Sequence, residues 1–240
     1  MTAPRRLLRW LRAREPVLTR LLGRLVRIES SSYDTTGVNR LVAFLAAEWR
    51  KRGARVERLR PAGSPSRGDL LRCELAPALG APPGRILVLG HTDTVYERGT
   101  LARMPFRVAR GRAFGPGTLD MKAGLVIALA AVDALRSAGL APRRRVVFLW
   151  TSDEEIGSES ARAAIEREAR RSAAVLVLEP GTGPRGKLKT ARKGVGGFTL
   201  DVAGRAAHAG VNPQEGVNAV HELALQIGRA SCRERVYGPV

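Results

Sequence analysis

The sequence predicts an α/β protein in which a mixed central sheet carries helices on both faces, followed by the beginning of an α+β domain. Short apolar runs alternate with longer segments of helical apolar spacing up to about residue 180, as expected of such a sheet. After a Gly- and Pro-rich connector at residues 181–186, the pattern changes to glycine-interrupted strands. A chain of 240 residues can hold one sizeable core and part of a second domain.

Helical spacing of apolar residues predicts the helices of the first domain. They are expected at residues 18–28, 38–49, 121–140 and 159–171. The serines at 30–32 and Asp34 supply a break and a cap between the first two, and Gly139 ends the third. The basic N-terminus lacks the apolar core and cleavage site of a secretion signal, so we expect an amphipathic start to the first helix and a cytoplasmic protein.

Continuous apolar runs predict the strands. They are expected at residues 54–59, 70–75, 85–90, 145–150 and 174–178, and the last three read as buried strands. Beyond the connector we expect strands within residues 187–203 and a helix at about 214–226. The predicted organisation is therefore a first domain at residues 1–186 and a partial second domain at residues 187–226.

The last segment, residues 227–240, is predicted to be a non-native tail. Its first part, IGRASCRERV at residues 227–236, can be encoded codon for codon by a common sequencing-adapter sequence. A coincidence over this length is rare by chance. The alternative is a genuine basic tail.

Composition argues against two classes of partner. The net charge of +19 would suit nucleic acid, but it comes almost entirely from arginines scattered along the whole chain, and aromatic residues for base stacking are few. No apolar run approaches the ~20 residues of a membrane span. We therefore expect neither nucleic acid nor membrane as a partner. Cys73 and Cys232 are too few for a disulfide framework or a thiolate metal site, so any metal must be held by nitrogen and oxygen.

The first chemical motif follows the predicted strand at residues 85–90. Residues 90–95 read GHTDTV, and a strand's carboxyl end is where ligands bind in open α/β sheets. Because positions i and i+2 of an extended chain face the same way, Asp93 can lie behind His91 and accept the ring N–H that a metal leaves free. A histidine hydrogen-bonded in a loop is the simpler alternative for this motif alone.

Three further segments place carboxylates after turns or strands. Asp120 follows the tight GPG turn at residues 115–117, and can be either a helix N-cap or a carboxylate that bridges two cations. Glu154 and Glu155 follow a buried strand, where one can bind metal while the other takes a proton from water, unless both only complement a helix dipole. Glu179 ends another buried strand. Nitrogen and oxygen ligands at one sheet edge suit zinc, cobalt or manganese.

Taken in order, these segments resemble the successive signatures of the M20 metallopeptidases. The matching stretches are HTDTV at 91–95, GPG with DMKAG at 115–124, DEEIGS at 153–158 and EP at 179–180. The stretch 95–108 is most similar to the carboxypeptidase G2, or glutamate carboxypeptidase, branch. The resemblance covers about residues 18–226 and implies a zinc-dependent exopeptidase-like catalytic domain followed by a lid or dimerisation domain.

The resemblance also implies a role for each residue. His91 and Glu179 would bind one zinc ion, Asp120 would bridge two, and Glu155 would bind the other, with cobalt or manganese as possible substitutes. Glu154 would be the general base and Asp93 would orient His91. The peptide bond after Asp120 is often cis in this family. In the second domain, the stretch GRAAHAG at residues 204–210 would carry His208 into a neighbouring subunit's site to polarise the scissile carbonyl.

One departure from the family pattern concerns the second zinc ion. The family has a further histidine ligand far downstream, whereas the three histidines here are His91, His208 and a structural His221. We therefore expect a C-terminally truncated, inactive fragment of an enzyme that is a homodimer at full length. The expected substrates are small peptides or N-acyl amino acids, with release of a glutamate-like C-terminal residue. A deacylase of the same fold and a non-catalytic binding protein are the alternatives.

Overall fold

The structure is a computed structural model that describes residues 2–61, 63, 66–191 and 199–231. It forms two compact units, Met1–Leu188 and Lys189–Val240, and each is described by itself. The division falls two residues beyond the expected boundary after residue 186. None of the helices in the described part of the chain combines the length and apolar character needed to cross a lipid bilayer.

The first unit is built from helices and strands that alternate along the chain. Its helices are α1 (Ala3–Ala13), α2 (Glu15–Val26), α3 (Thr35–Lys51), α4 (Thr100–Arg103), α5 (Ala123–Ser137) and α6 (Arg162–Arg170). Its strands are β1 (Arg55–Leu59), β2 (Leu70–Leu75), β3 (Arg85–His91), β4 (Arg107–Ala109), β5 (Arg112–Phe114), β6 (Arg145–Thr151) and β7 (Ala174–Val177). Each strand predicted for this unit is present within one residue of its expected bounds.

The central sheet is mixed, as predicted. Its strand order is β1-β2-β6-β3-β7, with β4 and β5 forming a separate hairpin. Both pairs that involve β2 are antiparallel, whereas β3 runs parallel to β6 on one side and to β7 on the other. The carboxyl ends of β3, β6 and β7 therefore lie at one edge of the sheet.

Helices cover both faces of the sheet, which confirms the predicted fold class. On one face α2, α3 and α5 bury the larger core, where Trp49, Phe148 and Trp150 lie in mutual aromatic contact with ring centroids 4.1–6.0 Å apart. On the other face α6 packs Ile165 against strand residues that include Leu87. Burial of such large apolar side chains, at roughly 1.5–3 kcal/mol each, is what holds the sheet in place.

Two helices of the first unit begin later than predicted. Helix α5 starts at Ala123, because the residues before it form an irregular turn, Thr118–Lys122, in which Asp120 is extended (φ −111°, ψ 103°). Helix α6 starts at Arg162, because Asp153 Oδ2 accepts hydrogen bonds from the Ser160 N–H at 2.8 Å and its hydroxyl at 2.7 Å. Both delays keep the preceding carboxylates in loops at the sheet edge.

The second unit has less regular structure than predicted in the residues described. The expected strands at 187–203 are absent from residues 187–191 and 199–203, and residues 192–198 lie outside the described residues. An antiparallel bridge joins Arg205 to Val217, and helix α7 spans Ala219–Ser231, later than the expected 214–226. The predicted non-native tail falls mostly on residues 232–240, which lie outside the described residues.

Candidate metal centre

The candidate site lies where three parallel strands end together. His91 is the last residue of β3 and pairs with Thr151, the last residue of β6, while Leu89 pairs with Val177, the last of β7. Glu154 follows β6 and Glu179 follows β7. Adjacent parallel strands lie about 4.8 Å apart, so groups placed just beyond their ends are brought within reach of one another.

His91 is the centre of a cluster of carboxylates. Its Nε2 lies 3.2 Å from Asp120 Oδ1, 3.4 Å from Glu179 Oε1 and 3.8 Å from Glu154 Oε2. The ligand atoms of His91, Asp120 and Glu179 all lie within 4.8 Å of one another, close enough to share a metal ion. The imidazole is 1 % exposed, whereas the side chains of Asp120 and Glu154 are about half exposed, at 56 % and 47 %. The site is therefore a buried nitrogen donor beneath carboxylates that face solvent.

Asp93 lies on the other side of the imidazole ring, where the spacing predicted it. Nδ1 of His91 is 3.0 Å from the Asp93 carbonyl oxygen and 3.3 Å from its Oδ1. The same carboxylate accepts hydrogen bonds from the backbone N–H groups of Glu154 and Glu155, both at 3.2 Å. A neutral imidazole that donates through Nδ1 leaves Nε2 with a free lone pair, which is the form that binds a metal.

Asp120 reaches the cluster from the tight turn that the GPG motif predicted, but the hairpin before that turn was not predicted. It does not end a strand of the central sheet: it follows the β4–β5 hairpin through a turn that uses a left-handed Gly117 (φ 65°). It also does not cap α5, whose N-cap is Lys122. The Asp120–Met121 peptide bond is cis, as expected from the family resemblance. Asp120 is therefore a turn residue aimed at His91.

Glu155 stands apart from this cluster. In the described residues it is not among the groups whose ligand atoms lie within 4.8 Å of one another. Burial raises the pKa of Glu155, and negative charge from Asp120 and Glu154 adds to the effect while His91 opposes it. Glu155 therefore interacts electrostatically with the cluster, and its role as a metal ligand stays a prediction.

The electrostatics of the cluster favour a cation. Burial alone would lower the pKa of His91, but the side chains of Asp93 and Glu179 raise it to about 11. The pKa values of Asp120 and Glu154 are raised, first by burial and then by neighbouring negative charge, chiefly that of Glu179. Carboxylates crowded in this way repel one another unless a positive charge lies between them. A nitrogen and several carboxylate oxygens are a donor set that fits zinc.

Two residues beside the site were not singled out from the sequence. Met121 Sδ accepts a hydrogen bond from the backbone N–H of His91 at 3.1 Å, although thioether sulfur is a weak acceptor. Lys122 is 2 % exposed, and its ammonium group donates to the Ile28 carbonyl at 2.8 Å. The motif contained both residues, but only the packing shows what they contact.

The other two histidines lie in the second unit. The backbone N–H of His208 donates to Asn212 Oδ1, and the ring Nδ1 of His208 accepts from the Gly210 backbone N–H, both at 3.1 Å. His221 lies on α7, with its N–H bonded to Asn218 Oδ1 at 3.0 Å. These local bonds fix the loop at His208 and the start of α7. The predicted catalytic role of His208 is not tested by them.

Comparison with known proteins agrees with this geometry. The sequence profile of peptidase family M20/M25/M40 matches residues 87–239, a range that includes every residue of the cluster. The chain belongs to this family. Family membership and the cluster of His91, Asp120 and Glu179 both indicate a metal-dependent protein, typically one that uses zinc.

Relatives in the family include enzymes of two kinds. Carboxypeptidase G2 from Pseudomonas sp. (strain RS-16) is 34 % identical over 210 residues, which is 88 % of this chain and 50 % of that protein. Acetylornithine deacetylase from Pasteurella multocida (strain Pm70) is 32 % identical over 188 residues, 76 % of this chain and 46 % of that protein. The chain spans about half the length of the curated relatives it matches.

Solved structures share the fold at lower identity. Aminopeptidase PepT from Bacillus cereus ATCC 10987 superposes with a TM-score of 0.66 at 22 % identity, over 88 % of this chain and 55 % of that one. Human carnosine dipeptidase 1 gives a TM-score of 0.62 at 19 % identity, over 72 % and 40 %. At these identities the likeness establishes the fold of the chain.

Proposed function

We propose that the protein is a metal-dependent amidohydrolase that cleaves an amide or peptide bond with water. The observation that carries this proposal is the cluster at the sheet edge. Glu154 Oε2 lies 3.8 Å from His91 Nε2, the same atom that the carboxylates of Asp120 and Glu179 approach. A potential base beside a potential metal site is the arrangement that hydrolysis by activated water requires.

The residues present would hold two zinc ions per subunit, with cobalt or manganese as substitutes. His91 and Glu179 would bind one ion, Asp120 would bridge both, and Glu155 would bind the other. Bound zinc would supply a Lewis acid that lowers the pKa of water toward neutrality. The backbone N–H of Glu155 donates to Asp93 Oδ2 at 3.2 Å, which places Glu155 on the same turn as Glu154.

The remaining chemistry belongs to side chains of the chain itself. Glu154, half exposed and close to the cluster, would take a proton from the attacking water and return it to the leaving amine. Its raised pKa brings it nearer to the range where both transfers are favourable. Asp93 would keep His91 in the metal-binding tautomer. His208 would polarise the scissile carbonyl from a neighbouring subunit, which makes the active form a homodimer.

Two substrate classes fit the family relationship. The resemblance to carboxypeptidase G2 favours release of a C-terminal, glutamate-like amino acid from peptidyl or N-acyl substrates. The resemblance to acetylornithine deacetylase favours removal of an acyl group from an N-acyl amino acid. Both reactions break an amide bond by the same use of water, so the cluster supports either.

A paired measurement tests the proposal. The zinc content of the purified 240-residue chain is measured first. Because this chain by itself is expected to be inactive, a protein extended to the length of its relatives is then loaded with zinc and assayed on N-acetyl amino acids and on dipeptides side by side. Zinc bound in proportion to protein, with amide hydrolysis of one class, is the expected result. Protein that purifies without stoichiometric metal and takes up none would overturn the metal centre and favour a non-catalytic binding protein on the same scaffold.

A further inference from the structure

We propose that Ser32 is a positioning residue of the metal centre and acts on it through Asp93. The proposal rests on the metal site argued above and adds to it a residue from the loop between α2 and α3. The contact that motivates it is a hydrogen bond from Ser32 Oγ to Asp93 Oδ2 at 2.7 Å. Both residues are buried, at 2 % and 1 % exposure.

The position of Asp93 makes this bond consequential. Its carboxylate faces Nδ1 of His91 and accepts the backbone N–H groups of Glu154 and Glu155. Oδ2, which takes the Ser32 hydroxyl, is also the oxygen that takes the Glu155 N–H. One carboxylate therefore orients a metal-binding ring and a turn with two acidic side chains, and Ser32 restrains that carboxylate from the far side.

Ser32 is well placed to be a fixed support because its backbone is held independently of its hydroxyl. The Ser32 N–H donates to the Thr94 carbonyl at 3.2 Å, and the Thr94 N–H donates to the Ser30 carbonyl at 2.8 Å. Ser31 and Thr94 form a parallel bridge, so this loop extends the sheet beside the end of β3. The Ser32 hydroxyl also lies 3.5 Å from the Thr94 carbonyl, a long contact beside the backbone bonds that already hold the loop. Removal of the hydroxyl should therefore leave the loop in place and act chiefly on the Asp93 carboxylate.

Loss of the Ser32–Asp93 hydrogen bond should destabilise the arrangement of the site. Without the Ser32 hydroxyl, Asp93 Oδ2 keeps only the longer bond from the Glu155 N–H, and water does not reach the buried carboxylate to replace the lost donor. The side chain of Asp93 can then turn to find another donor. The His91 ring and the Glu154–Glu155 turn are then no longer held in a fixed orientation by the same carboxylate. Loss of a group that bonds a metal ligand directly typically weakens metal binding by about 10- to 100-fold, so loss of Ser32, which is one contact further out, should lie at the lower end of this range.

The same loop provides a matched control. Ser30 is also buried, at 1 % exposure, but its hydroxyl oxygen has no hydrogen-bond partner among the described residues. Ser30→Ala therefore removes the same atom from the same loop without breaking a bond to the site. Ser32→Thr keeps a hydroxyl and tests for rescue.

The test measures zinc affinity of the 240-residue chain by competition with a chelating indicator. Metal-free thermal unfolding verifies that each variant is folded. We expect Ser32→Ala to weaken zinc binding by about 10-fold, at the lower end of the range for outer-shell partners, with Ser30→Ala unchanged and Ser32→Thr closer to wild type. The visible spectrum of the cobalt-loaded protein should change only in Ser32→Ala.

The possible failures are distinguishable. If the wild-type chain binds zinc and Ser32→Ala binds it as tightly as Ser30→Ala does, the role of Ser32 is wrong and the metal centre stands. If the wild-type chain binds no zinc, the metal centre itself is wrong and Ser32 has nothing to position.

Discussion

His91 Nε2 and Glu179 Oε1 lie 3.4 Å apart although they belong to two different strand ends: His91 is the last residue of β3, and Glu179 lies two residues beyond the end of β7. The two strands are parallel neighbours, and the chain between them forms the hairpin, α5, β6 and α6 before it returns. Because β7 returns to lie beside β3, the Glu179 carboxylate is placed close to the ring nitrogen of His91. This relationship makes Glu179 the most direct test of the cluster.

Glu179→Gln should remove metal binding while preserving shape. The amide is nearly isosteric with the carboxylate but carries no charge and is a poor zinc ligand. Zinc affinity should fall by more than the ~100-fold upper end seen for outer-shell losses, measured by competition titration. Glu166→Gln, a change of an exposed glutamate on α6, is the control. Equal zinc affinity in the two variants would contradict the assignment of Glu179.

Glu154→Gln should separate metal binding from catalysis. The side chain is proposed to act on a proton rather than on the metal, so the zinc content should match that of wild type. Hydrolysis should fall by about 10²- to 10⁴-fold, the usual contribution of a general base. Rates on the substrate class found by the paired assay, with zinc measured on the same samples, decide the point. Glu159→Gln, an exposed neighbour, should retain activity. A fully active Glu154→Gln protein would rule out this base.

The sequence predicted the part of the site that depends on local pattern. Apolar runs located β3, β6 and β7, and the rule for parallel strands then placed His91 and Glu179 at one edge. Asp120 was predicted as a carboxylate of the site, but its approach from a hairpin was not. The turn at Gly117 was readable from the GPG motif, but the hairpin and the contact of Met121 with the end of β3 are not encoded by a short pattern. The second unit was predicted least well, since its described residues contain few backbone bonds between distant positions.

Gly124 is a second residue whose role could not be predicted from the sequence. The motif contains this glycine, but only the packing shows why a glycine is needed there. A Cβ atom at this position of α5 would clash with the carbonyl oxygen of Leu178 and approach the Met121 methyl group to 2.8 Å. Leu178 directly precedes Glu179. The glycine therefore lets α5 pack closely against the end of β7.

Gly124→Ala should consequently weaken zinc binding as well as stability. The backbone at Leu178 must move, which shifts Glu179, and overpacking of this kind costs about 1–3 kcal/mol of unfolding free energy. Gly139→Ala is the control, because Gly139 follows the same helix with a left-handed φ of 67° and nothing near its Cβ position. That variant should lose stability through backbone strain and keep its zinc affinity. Unchanged zinc affinity in Gly124→Ala would contradict the coupling.

Glu48 and Arg52 predict a pH dependence of stability far from the metal centre. Arg52 joins α3 to α5 through Glu48 Oε2 at 3.0 Å and Asp133 Oδ2 at 2.6 Å, and Lys51 bonds Glu48 Oε1 at 2.8 Å. Burial alone would raise the pKa of Glu48, but the hydrogen bonds from Lys51 and Arg52 lower it below its ordinary 4.5. The ionised form therefore stabilises the fold above the unfolded-state value, and this contribution is lost as the pH falls through the lowered pKa.

Glu48→Gln should reduce the unfolding free energy by about 1–3 kcal/mol at pH 7, because charged hydrogen bonds to a buried guanidinium are lost. The difference from wild type should shrink as the pH is lowered through the acidic range, since protonated Glu48 in the wild-type protein loses the same bonds. Urea unfolding of both proteins over a series of pH values measures this. Glu57→Gln, an exposed change on β1, should differ little from wild type throughout. A Glu48→Gln penalty that stays constant down to strongly acidic pH would show that burial and shape, rather than the charge of Glu48, hold α3 against α5.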